Sequence, residues 1–104
     1  MKKIIIVYGD NLSLLQRKAI EQLSTFCLEC TNEYPVCFKY DEEFDTQDAR
    51  LFYIGTKENN PKIAELSNAT LTKPEEYYIN VKGDTIIIEG FDDAGVLYGA
   101  IDFY

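Results

Sequence analysis

The chain of 104 residues carries 18 Asp and Glu against 10 Lys and Arg, a formal charge of −8, and 46% of it is hydrophobic. That length fits one domain with a core large enough to fold without disulfides or a metal, and the acidity disfavours nucleic acid and anionic membranes as partners. Histidine is absent, which removes the commonest general base and metal ligand and, with them, any Ser-His-Asp or Cys-His site.

The first segment, Lys3 to Tyr8, is an apolar β-branched run without alternation, the pattern of a strand covered on both faces. Lys2, Lys3 and the Ile4–Val7 run are too short for a signal peptide, and no stretch approaches the length of a transmembrane helix. A helix is expected from about residue 11 to about residue 29. Asp10, Asn11 and Ser13 are its candidate N-caps, and Leu12, Leu15, Ala19, Ile20, Leu23, Phe26, Cys27 and Cys30 form its apolar side, with Gln16, Arg17, Glu21 and Gln22 opposite. Pro35 opens an edge strand running to Tyr40, and the acidic run 41–48 reads as a solvated loop or hairpin tip.

Leu51–Ile54 is a second fully apolar strand, closed by Gly55, and Pro61 starts a short helix reaching about Ser67. Tyr77–Val81 and Thr85–Glu89 form a hairpin turning on Gly83-Asp84. With Lys82 opposite Thr85, Val81 meets Ile86 and Ile79 meets Ile88, four apolar groups on one face; Tyr78, Asn80, Ile87 and Glu89 take the other. Asp92 caps a last helix carrying Val96, Leu97, Ile101 and Phe103, in which Gly95 and Gly99 let the backbone lie close on a sheet. No stop signal precedes Tyr104, so the chain is expected to be the N-terminal part of a longer protein. The expected fold class is α+β, a mixed sheet of about five strands with a long N-terminal and a C-terminal helix packed on it, in the order β-α-β-β-α-β-β-α.

Residues with chemistry of their own are few. Cys27-x-x-Cys30 with Cys37 has the spacing of half a zinc or redox site, yet no second such pair and no histidine completes four ligands, so the three cysteines are expected as small apolar core groups. The series Asp41, Glu43, Asp45 begins like a calcium loop but continues with Thr46 and Phe52 where Gly and Glu are needed. Tyr8-Gly9-Asp10-Asn11 lacks the glycines of a phosphate loop and reads as a strand-to-helix turn. The eight tyrosines offer stacking surfaces for sugar rings or, more simply, line strand and core edges.

The C-terminal quarter, however, resembles a known module. Tyr77-Tyr78-Ile79-Asn80-Val81-Lys82-Gly83-Asp84-Thr85-Ile86-Ile87-Ile88-Glu89-Gly90, followed by Asp92-Asp93-Ala94-Gly95-Val96-Leu97-Tyr98-Gly99, is similar to the hairpin and helix opening of the small α+β domain that precedes the (β/α)₈ barrel in β-N-acetylhexosaminidases and α-glucuronidases. Leu51–Thr56 with Asn60-Pro61, and the opening strand and helix, agree more loosely. The resemblance implies a non-catalytic accessory domain whose partner is a catalytic barrel of the same polypeptide, with no catalytic, cofactor or metal residue carried by residues 1–104. The alternative is a stand-alone module binding carbohydrate or protein.

Overall fold

A computed structural model describes residues 2–103. Tyr104, where the last helix was expected to run on, lies outside them. The elements are β1 (Lys3–Tyr8), α1 (Leu14–Thr31), β2 (Val36–Lys39), β3 (Ala49–Gly55), α2 (Pro61–Leu66), β4 (Tyr77–Lys82), β5 (Thr85–Gly90) and α3 (Asp93–Phe103). They build one mixed sheet in the order β2-β1-β3-β5-β4, parallel throughout except for the antiparallel β4–β5 hairpin. The α+β architecture expected from the sequence is the one observed.

Of the three candidate caps, Ser13 is the N-cap of α1: its hydroxyl accepts from the Gln16 amide at 3.2 Å. The helix therefore starts three residues later than expected, and it ends on Asn32 in the left-handed conformation, with φ of 62°. Asn60 caps α2 ahead of Pro61, and the Asp92 carboxylate accepts from the Gly95 amide at 2.9 Å, opening α3 as expected.

Two apolar layers flank the sheet. On the helix face, Ile6, Phe52, Ile54, Ile86 and Ile88 pack with Ala19, Leu23 and Cys27 of α1 and Val96 and Ala100 of α3. Phe103 meets Phe26 and Phe52 edge-on, with ring centroids 5.2 and 5.4 Å away. On the opposite face, Ile5, Val7 and Ala49 lie among Phe38, Tyr40, Phe44, Leu51 and Tyr53. The unalternating Ile4–Val7 run is thus covered from both sides, and each fully buried Ile contributes about 1.5–3 kcal/mol of transfer free energy.

The acidic segment after β2 is the expected solvated loop rather than a hairpin tip, with Asp41, Glu42, Glu43, Asp45 and Asp48 all exposed. β2 and β3 both run parallel to β1 on its two sides, so the segment crosses the sheet, and Phe44 stacks on Phe38 at 4.8 Å. Its carboxylates stay at the surface while its aromatics cover the sheet. The hairpin has the expected register, Ile79 opposite Ile88 and Val81 opposite Ile86. Ile86 and Ile88 are buried, whereas Val81 is 60% exposed: β4 is the outermost strand, and that end of it has no helix above it.

Candidate functional site

The carboxyl ends of β1, β3 and β5 gather most of the buried polar groups. Asn60 is fully buried, its amide donating to the Val7 and Ile54 carbonyls at 3.2 and 2.9 Å. One residue earlier, the Asn59 amide donates to the Asp10 carbonyl and to the Gln16 side chain at 3.0 and 2.8 Å, and Gln16 in turn donates to Asp93 at 2.7 Å. This chain of hydrogen bonds joins β1, the β3–α2 loop, α1 and the first turn of α3. It corrects the placing of Gln16 on the solvent side of α1, since Gln16 is only 3% exposed. Beside it, the Lys39 ammonium at 2.8 Å and then the Tyr40 hydroxyl hold the surface carboxyl of Asp10 below the ordinary carboxylate range. The turn Tyr8–Asn11 is thereby occupied by its own chain: a Cβ on Gly9 would stand 2.1 Å from the Asn59 carbonyl oxygen.

The cysteines divide. Cys27 is a core residue as expected, whereas Cys30 and Cys37 are exposed, Cys30 near the end of α1 and Cys37 on the edge strand β2. Among the described residues no group of three or more Cys, Asp or Glu could hold a metal. Burial, and after it the neighbouring Cys30 and Cys37, push the Cys27 thiol up to about 11. Iodoacetamide at about pH 8, below that value and near the ordinary cysteine value, is expected to alkylate Cys30 within minutes to hours and leave Cys27 intact until the chain unfolds. Peptide mass spectrometry finding Cys27 modified as fast as Cys30 would contradict this core placement.

The surface feature most in need of a partner is α3. Its inner stripe, Val96, Gly99, Ala100 and Phe103, sits on the sheet and α1, so closely that a Cβ on Gly99 would stand 3.0 Å from Ile88 and 3.4 Å from Tyr77, tighter than an ordinary contact. A second stripe at the same i, i+3, i+4, i+7 spacing, Ala94, Leu97, Tyr98 and Ile101, lies beside it: Ala94 and Leu97 are half-buried, Leu97 still packing against the core, while Tyr98 is 44% and Ile101 48% exposed. Only Asp93 and Asp102 are acidic or basic residues in the helix, and Asp102 is engaged by the Tyr77 hydroxyl at 2.9 Å. A helix apolar on both sides is characteristic of one buried on both sides. Leu97 and Ile101 also border a shallow groove of about 490 Å³ against Lys18, Glu21, Gln22 and Thr25 of α1. The four apolar residues expected on this helix divide between the two stripes, Val96 and Phe103 on the inner one and Leu97 and Ile101 on the second. No helix among the described residues is long and apolar enough to cross a membrane.

No protein-family model matches the chain, nor does any curated protein sequence. Solved structures do. A GH138 enzyme targeting the pectin rhamnogalacturonan II is similar over 94% of the chain, at a TM-score of 0.61 and 19% identity. A family GH115 4-O-methyl-α-glucuronidase with specificity for decorated arabinogalactans is similar over 98% of it, at 0.69 and 16%. The chain spans only 12% and 13% of those two proteins. At such identities the likeness is one of fold, and the fold of this chain is that of a small α+β unit found within much longer glycoside hydrolases.

Proposed function

We propose that the chain is a non-catalytic accessory domain of a glycoside hydrolase of the hexosaminidase or α-glucuronidase-like kind, whose α3 docks its outer stripe on a catalytic barrel of the same polypeptide. The exposed Tyr98 and Ile101, with the half-buried Ala94 and Leu97 beside them, carry this reading. An apolar stripe rimmed by polar side chains is the surface chemistry of a domain interface, and interfaces within a chain keep their domains in fixed relation only when large and apolar. The two glycoside hydrolase structures in which this fold makes up a small part support it from a separate direction. Of the two enzyme kinds, the α-glucuronidase one has a structural neighbour of that printed activity.

Ile101→Asp tests the reading, because the substitution places a charge in the outer stripe and touches no inner contact. In residues 1–104 alone the change in stability is expected within about 1 kcal/mol, as for other exposed helix positions. In the complete translated protein the same change is expected to uncouple this domain, seen as a separate early unfolding transition and faster proteolysis between the domains. A coding frame that stops directly after Tyr104, or an Ile101→Asp protein that unfolds like the parent in the complete chain, would overturn the proposal.

A further inference from the structure

We propose that the crevice at the carboxyl ends of β3 and β5 binds a neutral sugar ring, held by the Glu89 carboxylate and the Lys57 ammonium and backed by the ring of Phe91. Three observations converge on it, and none rests on the accessory-domain reading.

The first is position. From β3 the chain leaves into α2, whose Lys62 and Glu65 act on Tyr53 of the opposite face. From β5 it leaves into α3, which packs on the helix face. Two neighbouring parallel strands whose continuations part to opposite faces open a crevice outside their carboxyl ends, the general ligand position of open parallel sheets. Here the crevice is a recess of about 440 Å³, bordered by Thr56 and Lys57 after β3, by Thr70, and by Glu89 and Phe91 at the end of β5. That volume lies within the range of small-molecule sites, roughly 300–1,000 Å³.

The second is the buried charge. Glu89 is 2% exposed and follows Ile86, Ile87 and Ile88, all buried, in a strand where an apolar side chain would pack without cost. A buried carboxylate is costly unless its oxygens are engaged. One Glu89 oxygen accepts from the Ser67 hydroxyl. The other has the Lys57 ammonium at 3.8 Å, too long for a hydrogen bond, and Lys57 donates instead to the Ala69 carbonyl. The recess therefore presents an acceptor with unused lone pairs beside a donor with two unused protons.

The third is the match to a ligand. A charged ligand would favour one member of the Glu89–Lys57 pair and repel the other. Vicinal hydroxyls do neither, since one donates to the carboxylate while its neighbour accepts from the ammonium. Phe91, 44% exposed at the border of the recess, offers an apolar surface to the C–H side of a pyranose, and Thr70 adds a hydroxyl-bearing residue at the rim.

Amide NMR titration of the chain with the methyl glycosides of glucose, galactose and mannose, each to about 50 mM, tests this. At least one is expected to give saturating shifts at Thr56, Lys57, Thr70, Gly90 and Phe91, with a Kd of about 1–10 mM. The variants Phe91→Ala, which keeps the parent spectrum elsewhere, and Lys57→Met, which also removes the cation beside Glu89, are each expected to weaken it at least about five-fold. Glucuronic acid, with its carboxylate set against Glu89, is expected to bind more weakly than the best neutral sugar. No saturating shift with any of the three, shifts confined to another surface, shifts unchanged in both variants, or glucuronic acid binding as well as the best neutral sugar would each overturn the proposal.

Discussion

Gly90→Ala is expected to abolish stable folding, with a loss of more than about 4 kcal/mol against the 5–15 kcal/mol typical of a domain. Gly90 ends β5 opposite Tyr77 and sits beneath the first turn of α3. A Cβ there would stand 2.2 Å from the Val96 nitrogen, 2.7 Å from the Asp92 carbonyl oxygen and 2.7 Å from the Gly95 carbonyl carbon. All three are backbone atoms, so no rotamer change relieves the clash; the helix has to lift from the sheet and take Val96 and Ala100 out of the core. Gly83→Ala is the matched control. Its φ of +62° disfavours a side chain, but a Cβ there meets nothing within 4 Å, and the expected cost is about 1–2 kcal/mol. For a chain of this length each kcal/mol moves the midpoint by about 4–8 °C, so thermal unfolding followed by circular dichroism separates the two variants. A Gly90→Ala midpoint no lower than that of Gly83→Ala would contradict the packing of α3 described above.

Asn60→Ala is expected to cost roughly 3–5 kcal/mol. The substitution removes the amide that satisfies the Val7 and Ile54 carbonyls and the oxygen that accepts from the Lys62 amide at 3.1 Å. Each orphaned buried acceptor costs about 1–3 kcal/mol and the lost cap about 1 kcal/mol. Urea unfolding measures the sum, and a shift below about 1 kcal/mol would mean that those carbonyls find other partners. Asn60→Asp separates the contributions. The new carboxyl keeps the capping oxygen and, when ionised, sets a charge against two carbonyls, which raises its folded-state value above the unfolded one near 3.9. Sign follows from that: relative to Asn60→Ala, the variant is most stable below about pH 3.9, where the carboxyl is protonated and donates, and loses this advantage as pH rises through the folded-state value.

Much of this fold is legible in local chemistry, and where it is not the cause is distance along the chain. The β-branched run Ile4–Val7, the Asn60-Pro61 helix start and the Lys82–Thr85 turn each specify their element within a few residues, and the hairpin register follows from pairing Ile79 with Ile88. Gln16 shows the opposite case. A glutamine on a helix reads as solvent-facing, and its burial depends on Asn59 and Asp93, 43 and 77 positions away. Phe44 likewise sits in an acidic run whose charges dominate the local reading, and its place on the sheet follows from the parallel pairing of β2 and β3 with β1. For the proposed sites the same holds. The outer stripe of α3 shares its periodicity with the inner one and is distinguished only by which side the sheet occupies. Glu89 is set apart from an ordinary strand glutamate only when Ser67 and Lys57 are brought beside it.

The helix with two apolar sides also sets how this chain can vary. On most surface helices half the positions accept nearly any polar residue, and that freedom lets a domain drift while its fold persists. If α3 docks as proposed, that freedom depends on company: a deep mutational scan of residues 1–104 alone is expected to tolerate polar residues at Tyr98 and Ile101, and the same scan in the complete translated protein to reject them. The contrast between the two scans would outline the proposed docking surface one residue at a time.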